Sequence, residues 1–228
     1  MMKYMRWVCF LLLFPLGLVA QDFGLSFSYF VPRQGEFSTP VSPFSLRGVG
    51  MEFNRHVAFE TGASIYRMTA LNIRDLPFES EKSLAGPNLT ILVPMELVFR
   101  LSGKNSEFNL KGGGFGYHGF FQRLNDGNFD RALRNYEGWS LANGDLSAKA
   151  KPGYGWMAGA EWRFDVTRQW GLSFEVNYLA GQSGLPVKGT YSGVDSDGVL
   201  QNREADFRKA KLDLTGLEFS IGIMMSGR

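Results

Sequence analysis

Residues 154 to 164 read Tyr-Gly-Trp-Met-Ala-Gly-Ala-Glu-Trp-Arg-Phe, and this stretch decides the fold. Its even positions (Tyr154, Trp156, Ala158, Ala160, Trp162, Phe164) are apolar or aromatic; its odd positions (Gly155, Met157, Gly159, Glu161, Arg163) are mostly small or charged. A period of two makes a strand with one greasy and one polar face. The aromatics cluster toward the ends of the greasy face, and small residues fill its middle. A soluble sandwich would place its bulk in the middle, whereas a transmembrane strand places aromatics at the two interfaces. At a tilt of about 40°, ten residues of strand climb roughly 25 Å, the height of the apolar band of an outer-membrane barrel.

The ends of the chain agree. Lys3 and Arg6 precede an apolar run from Val8 to Val19, which is too short to span a bilayer and is followed by the small-residue junction Leu18-Val19-Ala20. This pattern predicts a signal peptide over residues 1–20, cleaved before Gln21, and a barrel domain over 21–228. Cys9, the one cysteine, lies within the apolar run rather than at the junction, so neither lipidation nor a disulfide is expected. Loss of Lys3 and Arg6 takes the 24 basic residues to 22, against 22 acidic ones. A neutral mature chain is an implausible partner for nucleic acid. With 28 glycines and 20 phenylalanines but no long apolar run beyond the leader, the composition fits a β-barrel in an outer membrane.

Alternation predicts eight strands, at about Asp22–Val31, Leu46–Asn54, Val57–Met68, Thr90–Leu101, Glu107–Gly119, Gly153–Asp165, Gln169–Ala180 and Lys211–Met225. Three connections are tight turns, and four are long, at about 32–45, 69–89, 120–151 and 182–210. Short and long alternate strictly, as in an up-and-down transmembrane barrel with periplasmic turns and outer loops. The fold expected is therefore all-β, an eight-stranded antiparallel up-and-down transmembrane β-barrel. A soluble lipocalin-like barrel would turn the apolar face inward and would need no aromatic girdle.

Phe53, Phe59, Phe99, Phe108, Trp162, Phe164 and Trp170 fall near the short turns on outward faces. Together with Tyr154 and Trp156 they are the expected membrane-interface aromatics. The inward faces carry Glu52, Glu60, Glu96, Arg100, Lys111, Glu161, Arg163, Glu175 and Glu218. Eight strands enclose an interior just wide enough for side chains to fill, so these charges should form a packed network rather than line a pore.

The junction at Ala20/Gln21, the eight-strand pattern and the hairpin Gly48-Val49-Gly50-Met51-Glu52-Phe53-Asn54-Arg55-His56-Val57-Ala58-Phe59-Glu60-Thr61-Gly62-Ala63 resemble the outer-membrane β-barrel families of Bacteroidota. That resemblance includes an accessory barrel of the type IX secretion system. The segment Gly216-Leu217-Glu218-Phe219-Ser220-Ile221-Gly222-Ile223 is similar to a barrel-assembly signal, although the chain runs on to Met224-Met225-Ser226-Gly227-Arg228 rather than ending on an aromatic.

Catalytic sets are sparse. His56 falls in a turn, and His118 near the outer end of the fifth strand. Neither has the serine two residues on that barrel lipid A deacylases use, and no G-x-S-x-G elbow occurs. A loop set of His118, Asp126 and Ser140 is the remaining catalytic combination. In the third loop, Asp126, Asn128, Asp130 and Glu137 stand at positions 1, 3, 5 and 12 of a calcium-loop template, but Arg131 occupies the position that needs glycine. No other cofactor is indicated. The long loops also hold Phe37, Val41, Phe44, Leu76, Phe78, Leu133, Tyr136 and Trp139, which either pack together as a cap or meet a partner. The expected function is non-enzymatic: a structural or accessory barrel in outer-membrane lipid, whose outer loops bind an envelope protein or a surface glycan. The alternatives are an outer-leaflet lipid-modifying enzyme and a narrow transporter of small or hydrophobic solutes.

Overall fold

The computed structural model describes residues 23–33, 41–69 and 71–225. The leader and Phe37 lie outside the described residues. Eight long strands build a barrel: β1 (Phe23–Pro32), β2 (Val41–Asn54), β3 (Val57–Met68), β5 (Asn88–Ser102), β6 (Ser106–Phe120), β8 (Gly153–Asp165), β9 (Trp170–Gly184) and β13 (Gly216–Met225). Each pairs antiparallel with its neighbours in chain order, and β13 pairs with both β9 and β1, so the sheet closes. Closure leaves each of the eight long strands paired on both sides.

Strand alternation sets the two surfaces. The exterior is apolar, with Leu97, Phe99, Leu110, Trp162, Ile221 and Ile223 among its exposed residues. The interior is polar toward the tight turns and apolar toward the other end. The chain is thus an eight-stranded antiparallel up-and-down β-barrel.

The strand bounds differ from expectation in two instructive places. The second strand starts at Val41 rather than Leu46, and its early inward residues are Ser42 and Ser45. Its pairing with β3 shifts register between Leu46 and Val49, where Gly48 sits at φ 75°. A bulge there flips the parity of the strand, so Arg47 points inward although it is odd and Glu52 is even. At the other end of the chain, the eighth strand begins at Gly216. Lys211–Asp213 forms a separate short strand, β12, that pairs with the outer end of β9 and with β4 (Ile73–Arg74).

The third and fourth long connections are folded. They carry helix α1 (Asp126–Glu137) and a three-stranded antiparallel sheet of β7 (Leu141–Ala148), β10 (Val187–Val194) and β11 (Leu200–Phe207), in the order β11-β10-β7. Gly138 ends the helix in the left-handed conformation at φ 69°.

Candidate functional site

Two layers fill the barrel. Nearer the turns, the inward charges converge into one network. Lys111 on β6 is its hub: Nζ lies 2.9 Å from Glu161, 3.3 Å from Glu175 and 3.5 Å from Glu60. Arg163 on β8 lies 2.9 Å from Glu161 and 3.2 Å from Glu60. Arg100 on β5 donates to Glu60 at 2.9 Å and to Glu52. Glu107 lies between the two guanidinium groups, 3.9 Å from Arg100 and 3.7 Å from Arg163. Inward-facing acids and bases on six adjacent strands, β2, β3, β5, β6, β8 and β9, bring these groups together.

Beside it, Glu218 on β13 accepts from Arg47 at 2.7 Å, from Asn177 at 2.9 Å and from the Tyr66 hydroxyl. Asn177 also donates to Glu175 at 2.9 Å, which joins the two groups. Ser28 bridges Ser45 at 2.9 Å and Ser220 at 2.7 Å. Glu96 is buried but takes part in no ion pair among the described residues.

Of the nine charges expected inside, Glu60, Glu96, Arg100, Lys111, Glu161, Arg163, Glu175 and Glu218 are buried there. Glu52 is at the rim, its side chain 49% exposed. Sequence reasoning missed Arg47, because the bulge at Gly48 reverses parity. It also passed over Asn109, Asn177 and Tyr66, although each shares inward parity with a charge on its own strand (Lys111, Glu175 and Glu60).

The outer half of the lumen is an apolar plug. Phe30, Tyr66, Leu92, Phe115, Met157 and Leu179 point in from the strands, and Leu71, Leu84, Leu185, Leu212 and Leu214 close over them from the connections. Two cavities lie at the ends of the barrel. One of about 580 Å³ at the turn end is lined by Lys104, Glu107, Arg163 and Arg168, and one of about 530 Å³ is lined by residues of the Asn72–Ser83 segment.

Above the plug sits the cap. Leu133 of α1 packs with Trp139, Ala142, Tyr191 and Ala205, and Phe78 bridges this cluster to the plug. Trp139 and Tyr191 rings lie 5.7 Å apart, and Arg203 stacks over Trp139 at 5.6 Å. Glu137 fastens helix to sheet: it accepts from Tyr191 at 2.7 Å and from Arg203 at 2.6 Å. Burial, reinforced by that bond to Glu137, pushes the Tyr191 hydroxyl up to about 12. The loop residues Leu76, Phe78, Leu133 and Trp139 therefore pack inward, while Phe44 lies on the barrel exterior and Tyr136 is half exposed with its ring against Phe78.

The calcium-template residues Asp126, Asn128, Asp130 and Glu137 lie along α1, where a rise of about 1.5 Å per residue sets Glu137 roughly 16 Å from Asp126 along the axis and Asn128 faces away from Asp126 and Asp130. Three of the four are engaged elsewhere: Asn128 donates to the Ser83 carbonyl at 2.7 Å, Asp130 accepts from Gly144 N at 2.8 Å, and Glu137 accepts from Tyr191 and Arg203. Burial pushes the Asp130 carboxyl up, opposed by the bond from Gly144. Among the described residues, no group of three or more His, Cys, Asp or Glu is placed to hold a metal. Nor is a catalytic set assembled. The His118 ring stands edge-on to Phe120 at 4.7 Å, and the Ser140 hydroxyl donates to the Val194 carbonyl at 3.0 Å. His56 meets Phe99 at the turn end, ring centres 6.3 Å apart.

The aromatics expected at membrane interfaces lie on the exterior. Phe53, Phe99, Phe108, Tyr154, Trp156, Trp162 and Trp170 are exposed, and Phe59 and Phe164 are half-buried among them. Trp162 packs on Phe164 at 4.6 Å, and Phe164 on Phe174 at 6.2 Å.

No family model matches the chain, and no curated protein matches it in sequence. Its fold is similar to that of the outer membrane protein OprG from Pseudomonas aeruginosa, with a TM-score of 0.59 and 12% identity over 91% of this chain and 95% of that one. Looser likenesses are to AlkL, an outer membrane protein studied in DMPC lipid bilayers (TM-score 0.43, 12% identity, 92% and 91% covered), and to Ail, the attachment invasion locus protein of Yersinia pestis (TM-score 0.39, 11% identity, 91% and 99% covered). At this identity the likeness to OprG shows the fold, that of a small outer-membrane β-barrel.

Proposed function

We propose that this chain is a non-enzymatic barrel of an outer membrane, structural or accessory, whose folded cap binds an envelope protein or a surface glycan. The observation that carries the reading is the division of labour along the barrel axis. Ion pairs fill one half of the lumen and apolar side chains the other, while the outer connections form a second layer with a core of its own. A barrel that spends its interior on packing offers its outer surface for work, and loops held on a rigid scaffold are where binding usually resides. The apolar exterior with aromatics near the tight turns supports a lipid surround. The Bacteroidota relation, including an accessory role of the type IX secretion kind, rests on the leader junction, the eight-strand pattern and the first hairpin. A mild-detergent pull-down of tagged protein from native outer membranes tests the proposal. Stoichiometric recovery of one envelope protein or glycan is expected; recovery of the barrel alone, with altered lipid A in a deletion strain, would contradict it in favour of enzyme chemistry.

A further inference from the structure

The cap sheet buries one face and leaves the other bare. Ala142, Tyr191 and Ala205 turn inward onto Leu133 and Trp139, so the residues between them face outward. Register sets those outward residues in cross-strand rows. The rows from Ser147-Lys188-Asp206 to Asn143-Ser192-Asn202 are polar, and the last row, Leu141-Val194-Leu200, is wholly aliphatic. Leu141 is 61% exposed, Leu200 74% and Val199 beside it 52%. None of these belongs to either buried cluster of the molecule. The opposite end of β10 begins at Val187, which joins the plug, and seven residues at about 3.3 Å each set the aliphatic row roughly 23 Å from it along the strand.

The row is held rigidly. The Val194 carbonyl accepts from both the backbone N and the hydroxyl of Ser140, at 2.8 and 3.0 Å. The Asp195 carboxylate accepts from Asp197 N at 3.0 Å and Val199 N at 2.9 Å, which fixes the turn between β10 and β11. Contact with a surface already ordered in this way costs little conformational entropy. Acids flank the row on both sides: Asp197 in the turn, and Asp145 and Glu204 on the face behind it. All three are exposed and enter no ion pair among the described residues.

That chemistry selects among occupants. A second copy docked row to row would set these acids against their own kind, which is costly across a contact. An anionic lipid surface would repel them too. Sugar rings pack on exposed aromatic faces, but this row is aliphatic, and the nearest ring, Trp139, is on the buried face at 7% exposure. A protein surface with an apolar pocket rimmed by basic side chains satisfies both the row and the acids.

We propose that Leu141, Val194, Val199 and Leu200 form the docking edge of the cap, and that its occupant is an envelope protein presenting a basic-rimmed apolar pocket. The inference rests on the reading of the cap as a binding surface and names, within it, the edge and the class of partner.

Photocrosslinking in cells tests it. Benzoylphenylalanine is placed at Val199 or, as a control on the same sheet, at Ser147. The expected result is one crosslinked protein from 199, the same one recovered by pull-down, with several-fold less from 147. D145K/E204K and L141S/L200S should each lower that yield several-fold, while the near-ultraviolet circular dichroism of Trp139 shows the cap still folded. If L141S/L200S unfolds the cap, the charge-reversed variant decides. Equal yields from 199 and 147, no crosslink from 199, or a crosslink to lipid, glycan or a second copy overturns the docking edge. A pull-down that recovers an envelope protein or glycan in undiminished yield from folded D145K/E204K also overturns it, but leaves the binding cap intact. A pull-down that recovers neither overturns both.

Discussion

Replacing Lys111 by methionine removes the single cation that three carboxylates share. Its Nζ lies within 3.5 Å of Glu60, Glu161 and Glu175, and its side chain is 1% exposed. Methionine fills much of the same volume, so the cavity contribution is small and the electrostatic one dominates. Arg163 still neutralises Glu60 and Glu161, but Glu175 is left with the Asn177 amide alone. Breaking a buried pair by removing one partner costs about 3–5 kcal/mol. With Arg100 and Arg163 still serving Glu60 and Glu161 but nothing cationic left on Glu175, we expect about 4 kcal/mol, close to three powers of ten in the folding equilibrium. With a urea m-value of about 2 kcal/mol per molar, the midpoint should fall by about 2 M. The assay is urea unfolding of the barrel in vesicles, followed by tryptophan fluorescence and by the gel mobility of unheated samples. K111M/E175Q, which removes the orphaned acid along with the cation, should recover a measurable part of the loss. A K111M midpoint within about 0.5 M of wild type, equivalent to about 1 kcal/mol, would mean that the lumen charges are screened by water and do not hold the strands together.

The other perturbations follow from the same geometry. E52Q touches the same network at its exposed rim, so it should cost less than about 1 kcal/mol in the urea assay. G48A forces a Cβ into a left-handed position and should cost about 1–2 kcal/mol, read as a lower unfolding midpoint. L133A empties the fully buried centre of the cap; truncations of this kind cost about 2–5 kcal/mol, and limited proteolysis should cut the cap sheet while the barrel stays folded. Tyr191 holds its proton to about 12 in the folded cap, against about 10 when unfolded, so its contribution is complete below about pH 10 and is lost as pH rises towards 12. Phenolate absorbance of wild type minus Y191F, with the near-ultraviolet circular dichroism of Trp139, should change together in that window.

The barrel was legible because its signals are local. Alternation at Tyr154–Phe164, tight turns at one end and inward charges at constant parity all follow from a period of two. Arg47 was hidden because a bulge changes that parity in mid-strand, and one glycine in a glycine-rich chain does not announce a bulge. The cap was hidden for a different reason. The buried faces of β7 and β10 alternate small residues with large ones, Ala142-Gly144-Leu146 and Gly189-Tyr191-Gly193, and β11 points Arg203 toward the helix side. Such strands bury little apolar area each and pack against Phe78, which lies far from them in sequence. The oxygen spacing in α1 misled because it was matched to a loop template without asking whether the segment was helical.

Single-channel recording in planar bilayers tests the central claim, that the barrel is closed and its cap is the working surface. The filled lumen predicts an electrically silent protein, both wild type and with L133A, since the plug and the ion network remain in either case. Discrete openings of uniform conductance from the wild-type barrel would contradict the account and place the function in the lumen.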